Sequence, residues 1–349
     1  MGIGLSIILS INLFFTHYGA SEGLSQNTVM DITQDNSGIM WFATHNGLNS
    51  FDGYDFRAYR HDPEDSTSIA SDLLRCLYKD PEGRIWAGGD NGLSLLLRES
   101  GTFVNYLKGY DIRDIASLPG GRLLLSSSGI LKVLDTADGN CSPWEHPESP
   151  DKILAESFCE DGNTIYIGTR RHGAFSYDKN SGELTHIGGI PSSRSVEAIC
   201  PKDDRLWFGT EGNGLFELDL RSGEVARYLS REEGGPLNSN RVRGIQTGAD
   251  GKLWIGSVGG LNVLDNDGVF ESAESNPFEP SSLSQNSVRC IFRDNQGGMW
   301  LGTWYGGVNY YHSLLPRFVT ICRRPGGNSL CDNIVNYLFW RTGGKRPSG

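Results

Sequence analysis

The chain has 349 residues, a formal net charge of −11 and 46 glycines, with 10% aromatic and 21% charged residues. Phosphate neutralisation needs clustered Lys and Arg, so this acidic balance argues against a nucleic-acid partner. The length allows one large core, and seven cysteines, odd in number and without CxxC spacing, point to neither a zinc site nor a disulfide framework.

Residues 3 to 15, IGLSIILSINLFF, form an apolar run too short to span a bilayer as a helix and placed like the core of a secretory signal, although no Lys or Arg precedes it. Residues 1–12 are therefore expected to be a signal peptide, incomplete if the start codon lies upstream. The other reading is a plain strand or a start codon lost upstream. Phe15-Thr16-His17-Tyr18 looks like a closing strand that pairs into the last repeat of the chain. The alternative leaves it with the signal and closes that repeat with Arg317 to Ile321.

From Ser25 onward one unit recurs: SQNTVMDITQDNSGIMWFATHNGLNSF, then SDLLRCLYKDPEGRIWAGGDNGLSLL from Ser71, NRVRGIQTGADGKLWIGSVGGLNVL from Asn240 and SLSQNSVRCIFRDNQGGMWLGTWYGGVNYY from Ser282. Weaker copies start at Ile112, Leu154 and Val196. An aromatic landmark falls at Trp41, Trp86, Tyr166, Trp207, Trp254 and Trp300, with Leu124 in its place in the third copy. The spacing averages about 43 residues, a repeat-protein period.

Each unit holds three short alternating runs separated by Asp/Gly turns, and a fourth follows at Phe56 to Tyr59, Phe103 to Tyr106, Glu183 to Ile187, Glu224 to Leu229 and Arg317 to Ile321. That arithmetic predicts an all-β, seven-bladed β-propeller of four-stranded blades over residues 13–322. Trp41, Trp86, Trp207, Trp254 and Trp300 are expected to be equivalent and buried. Cys76 and Cys290 share an inner-strand position with Asp31, Asp114, Ala198 and Gly244, where a small side chain is expected and a buried thiol is the plain reading. After Ile321 an eighth unit opens, SLCDNIVNYLF from Ser329 to Phe339, and is not completed. Residues 323–349 are thus expected to start a second propeller, truncated or shifted out of frame.

The unit GLSQNTVMDITQDNSGIMWFATHNGL resembles the two-component regulator propeller repeat, with its Leu-Ser-x-Asn-x-Val, Asp-x-x-Gly-x-x-Trp-x-Gly-Thr and Gly-Gly-Leu elements. The resemblance covers residues 15 to 339, and the third and fourth copies, with Leu124 and Tyr166, depart from it most. It implies the periplasmic sensor part of a hybrid two-component histidine kinase, often tuned to glycans. The implied companions are a second propeller and a kinase portion, with a homodimer possible. No cofactor, metal or catalytic residue is expected in this chain. The alternative is a secreted propeller enzyme acting on polysaccharide, a lyase or glycosidase, for which Glu156 and Glu197 are the best carboxylate pair.

In a propeller the start of each inner strand shares a rim with the loops between second and third strands. One inner-strand position reads Met30, Arg75, Arg113, Glu156, Glu197, Arg243 and Arg289 around the ring. Candidate ligand contacts on that rim are Trp304 and Tyr305 as flat faces, Arg170, Arg171, Arg243 and Arg289 as forked donors, and His172, Asn46 and Asn213 as hydrogen-bonding groups. The partner they suggest is an oligosaccharide or other small ligand. The DxxGxxW core itself reads as structural, its Asp and Gly shaping a tight turn and its Trp packing between blades.

Overall fold

A computed structural model describes residues 13–128, 130–147 and 153–314, together with the backbone of residues 9–10. The described residues form seven sheets, each built on four antiparallel strands, with no α-helix among them. Blades 1 to 7 begin with the inner strands Val29–Gln34, Leu74–Lys79, Ile112–Leu118, Ala155–Asp161, Val196–Lys202, Val242–Thr247 and Val288–Arg293. Each inner strand touches the next, and the seventh touches the first, so the sheets close into a ring. This is the seven-bladed propeller that the 43-residue period requires.

The landmark residues occupy one position of the second strand in every blade. Trp41 pairs with Thr33, Trp86 with Tyr78, Trp207 with Cys200, Trp254 with Gln246 and Trp300 with Phe292. All five are buried. Leu124, opposite Ala116, and Tyr166, opposite Cys159, hold the same place, so the two divergent copies keep their register. Two residues after the landmark most blades carry glycine, because the first residue of the next inner strand lies against it. A Cβ on Gly256 would sit 2.6 Å from Val288 Cγ1, and one on Gly209 2.7 Å from Val242 Cγ1. The Trp-x-Gly motif is thus a contact between blades as much as within one.

Ring closure uses the chain's start. Thr16–Tyr18 pairs antiparallel with Val308–Tyr311 and becomes the fourth strand of blade 7. Tyr18 lies opposite Val308 just as Tyr59, Tyr106 and Tyr228 lie opposite Leu48, Leu93 and Leu215. The neighbouring Gly307, at φ +73°, admits the Tyr18 carbonyl where a Cβ would come within 2.3 Å. Arg317 to Ile321 and the unit from Ser329 to Phe339 lie outside the described residues. Leu9–Ser10, inside the run expected to be a signal, adds a short parallel pairing to the outer strand of blade 6.

The ring position shared by Cys76 and Cys290 is more varied than its expected preference for small side chains. Burial pushes both thiols up, in keeping with inert packing, and a Cβ on Gly88 or Gly302 would sit 2.6 Å or 2.5 Å from their sulfurs. Asp31 and Asp114, however, reach across to the next blade. Asp31 Oδ2 accepts from the Leu77 amide at 2.7 Å and Asp114 Oδ2 from the Phe158 amide at 2.6 Å. Burial raises these carboxyls to about 6 and about 7 in spite of the amide donors. A carboxylate here acts as a staple between inner strands, which a purely steric reading of the position misses.

Candidate functional site

One rim is assembled by a bond repeated in all seven blades. The backbone amides of His45, Asp90, Ser128, Arg170, Glu211, Val258 and Trp304, in the loops between second and third strands, donate to the carbonyls of Thr28, Leu73, Asp111, Leu154, Ser195, Arg241 and Ser287. Those seven carbonyls stand one residue ahead of the inner strands. The pairing register of each inner strand then slips by one residue, and the unpaired residues are Met30, Arg75, Arg113, Glu156, Glu197, Arg243 and Arg289. The sevenfold column visible in the sequence is therefore a ring of β-bulges, a device that re-aims side chains at strand ends.

The ring is largely self-neutralised. Arg75 and Arg113 share Asp111, the latter at 3.1 Å, and Arg113 also reaches Glu156 at 3.0 Å. Arg170 Nε donates to the other oxygen of Glu156 at 2.7 Å. Arg289 of blade 7 pairs with Glu197 of blade 5 at 3.3 Å, passing over blade 6. Arg241 Nε donates to Glu211 Oε1 at 2.6 Å, and Arg243 Nε stands 3.7 Å from Glu211 Oε2. Burial lowers the Arg243 guanidinium from its ordinary value, opposed by Glu211. His45 is lowered by burial and then by Arg75 and Arg289, which favours the neutral imidazole.

The candidate residues fall into three groups. Trp304 is half-buried, edge-on to His45 with ring centroids 5.5 Å apart, and packs on the cluster containing Met30; Tyr305 is exposed beside it. Arg170, Arg243 and Arg289 are held in the ion pairs above, whereas Arg171 is exposed and forms none among the described residues. Asn46 and Asn213 spend their amides on the rim itself, donating to the Ser25 carbonyl at 3.3 Å and to Ser193 Oγ at 3.2 Å. His172 Nδ1 is buried without a partner. Asp111 and Arg241 escaped the sequence reading. Both stand one residue before an inner strand, and a charge in that column was the available signal.

Glu156 and Glu197 do not form a free carboxylate pair. Both oxygens of Glu156 accept from guanidinium groups, and Glu197 is tied to Arg289. Each carboxylate is held in an ion pair of the rim, which gives the polysaccharide-enzyme alternative no support. No group of three or more metal-ligating side chains occurs among the described residues.

The Asp of the DxxGxxW core is structural. Asp35, Asp80 and Asp294 accept from the indole N–H of Trp41, Trp86 and Trp300 at 2.7, 2.8 and 2.8 Å. They also accept from backbone amides of the turn that each one begins. Blades 5 and 6 carry Pro201 and Gly248 at the Asp position, and there the buried N–H groups of Trp207 and Trp254 have no partner among the described residues. In blade 4 the position is Glu160, which bonds to the inner strands of other blades. It accepts from Tyr78 of blade 2 at 2.6 Å and from the Ser117 amide of blade 3 at 2.8 Å, and pairs with Lys179.

A Cβ at Gly248 would lie 3.0 Å from Trp254 Nε1, and its φ is not in the left-handed region, so the site accepts a side chain once Asp250 swings aside. Gly248→Asp is expected to raise stability by about 1 kcal/mol, measured by chemical denaturation, because it satisfies a buried donor. Gly248→Leu, which fills the space without an acceptor, should not.

Three segments, residues 23–46, 236–259 and 282–305, match the two-component regulator propeller family. They cover the rim-forming starts of blades 1, 6 and 7. Three of the seven blades thus carry the two-component regulator propeller repeat. The propeller superimposes with a TM-score of 0.72 on the extracellular domain of a protein assigned as a hybrid two-component system of B. thetaiotaomicron. Identity is 27%, over 87% of this chain and 42% of that one. A 59-residue stretch is 51% identical to histidine kinase P4 of Formosa agariphila, covering 17% of the propeller chain and 4% of the kinase. The chain thus spans less than half the length of either relative. Streptogramin B lyase, 18% identical with a TM-score of 0.66 over 86% of the chain and 97% of the lyase, shares the fold. No helix among the described residues is long and apolar enough to cross a membrane.

Proposed function

We propose that this propeller is a ligand-sensing domain of a hybrid two-component sensor kinase, working in the periplasm without chemistry of its own. Its similarity to an extracellular domain of such a system carries the reading, since that relative holds the same fold at 27% identity over most of the chain. The ligand is a glycan or other small polar molecule taken on the rim of bulges, the face to which all seven blades send side chains toward one axis. Binding shifts the signal by rearranging the propeller against its companions, namely a second propeller, the kinase portion or a homodimer mate. A ligand does this only by its differential affinity for the two arrangements.

The test is calorimetric titration of the purified protein with a panel of oligosaccharides, wild type beside Trp304→Ala and Arg171→Ala. Trp304 supplies a flat face and Arg171 an uncommitted guanidinium, so at least one variant is expected to bind about tenfold more weakly. Unchanged affinity in both removes the rim as the site. Absence of binding to every glycan tried turns the reading toward a protein-interaction surface.

A further inference from the structure

The described residues contain seven buried side-chain polar atoms without a hydrogen-bond partner, and four of them belong to one arc of the rim: His172 Nδ1, Ser195 Oγ, Glu211 Oε2 and Arg243 Nε. His172 lies on the rim loop of blade 4, Ser195 and Glu211 on blade 5, and Arg243 on the bulge of blade 6. Unpaired buried polar groups are costly, so a native structure completes them with water or with a ligand that takes the water's place. Two others, on Trp207 and Trp254, are explained by the missing Asp of blades 5 and 6. The arc has no such internal explanation.

The chemistry of the arc restricts what completes it. Arg243 Nε can only donate, Glu211 Oε2 can only accept, and they are 3.7 Å apart. That gap is too long for a hydrogen bond and short enough for one oxygen to sit about 2.8 Å from both. A hydroxyl fits, accepting from Arg243 and donating to Glu211. A carboxylate or sulfate oxygen accepts but cannot donate, and would face the Glu211 charge. An ammonium donates but would face Arg243. The hydroxyl of Ser195 and the ring nitrogen of His172 also suit hydroxyl partners. Arg75, Arg113, Arg170, Arg241 and Arg289 of the rim, moreover, are already paired with Asp111, Glu156, Glu197 and Glu211, so an anion would have to break those pairs to use any of them.

We infer that the rim takes an uncharged polyhydroxylated ligand, a neutral oligosaccharide, whose hydroxyls complete the unpaired atoms of blades 4 to 6. This rests on the reading of the rim as a glycan site and narrows it to one class of glycan. Trp304 and Tyr305 of blade 7 then continue the arc beyond Arg243, which reaches Ser287 of that blade at 3.4 Å.

The experiment titrates the intact chain with uncharged probes, maltohexaose, xylohexaose and mannohexaose, and with anionic ones, trigalacturonate and a sulfated disaccharide, at low and high ionic strength. The expected result is an uncharged probe that binds with an affinity indifferent to salt. Ser195→Ala and Arg243→Lys should each weaken it about tenfold, the equivalent of one hydrogen bond in which one partner is charged. Thermal unfolding of both variants confirms that they are folded, and Ser195→Ala serves alone if Arg243→Lys is not. If the tightest probe is anionic and salt weakens it, this inference is overturned while the rim remains a glycan site. Uncharged binding that neither variant alters also overturns it. If no probe binds, the inference and the glycan reading fall together.

Discussion

Replacing Trp86 with alanine is expected to lower the unfolding free energy by about 3–5 kcal/mol, the range for removing a buried tryptophan from a core that cannot collapse around the loss. Trp86 is fully buried, 5.6 Å from the Tyr106 ring, in a cluster that includes Ile112, Ile115, Leu123 and Leu125 of blade 3. The side chain therefore fills the seam between two sheets. Its loss also strips one donor from Asp80, whose side chain is almost wholly buried. Trp304→Ala is the internal control, because that indole is half-buried at the rim and should cost far less. Guanidinium denaturation followed by far-ultraviolet circular dichroism measures both. A cost below about 1 kcal/mol for Trp86→Ala would contradict the inter-blade role of the landmark tryptophans.

A chain that begins at Gly19 is expected to lose cooperative folding, or to melt far below the full chain. The deletion removes the fourth strand of blade 7, which runs directly into the start of blade 1. Tyr18 packs within 5.1 to 6.0 Å of the rings of Phe51, Phe56 and Trp300, so it bridges blades 7 and 1. Phe15 donates its amide to Ser281 and meets Tyr311, while His17 bonds the Ser282 carbonyl at 2.8 Å. Losing these contacts takes a sizeable part of the roughly 5–15 kcal/mol that a domain has in hand, and bares the edge of Val308–Tyr311 to other chains. Tyr18→Ala keeps the strand pairing and should show an intermediate melting temperature. If the shortened chain melts within a few degrees of the full one, residues 16–18 do not close the ring.

Much of the rim was legible as a column of letters. The alignment of Met30, Arg75, Arg113, Glu156, Glu197, Arg243 and Arg289 followed from the repeat register, and so did their sharing a face with Trp304 and Arg170. The alignment could not show that the column is a bulge, because an unpaired residue differs from its neighbours by pairing alone. Nor could it show the partners. Arg289 meets Glu197 two blades away, and Asp111 takes two arginines from different blades. These contacts exist only because the ring closes and brings the inner strands to a common axis.

The same division runs through the whole molecule. By itself the sequence determined the number of blades and the register of the landmark tryptophans, since each depends on a local rule of alternating side chains and Asp/Gly turns; it left two rival closing strands, and the structure chose Thr16–Tyr18. The structure alone decided which charges neutralise one another, why Trp207 and Trp254 lack an acceptor, and which atoms of His172, Ser195, Glu211 and Arg243 are left unpaired. Hydrogen-bond satisfaction is a property of distances between blades, and a repeat pattern, identical in period from blade to blade, does not contain those distances.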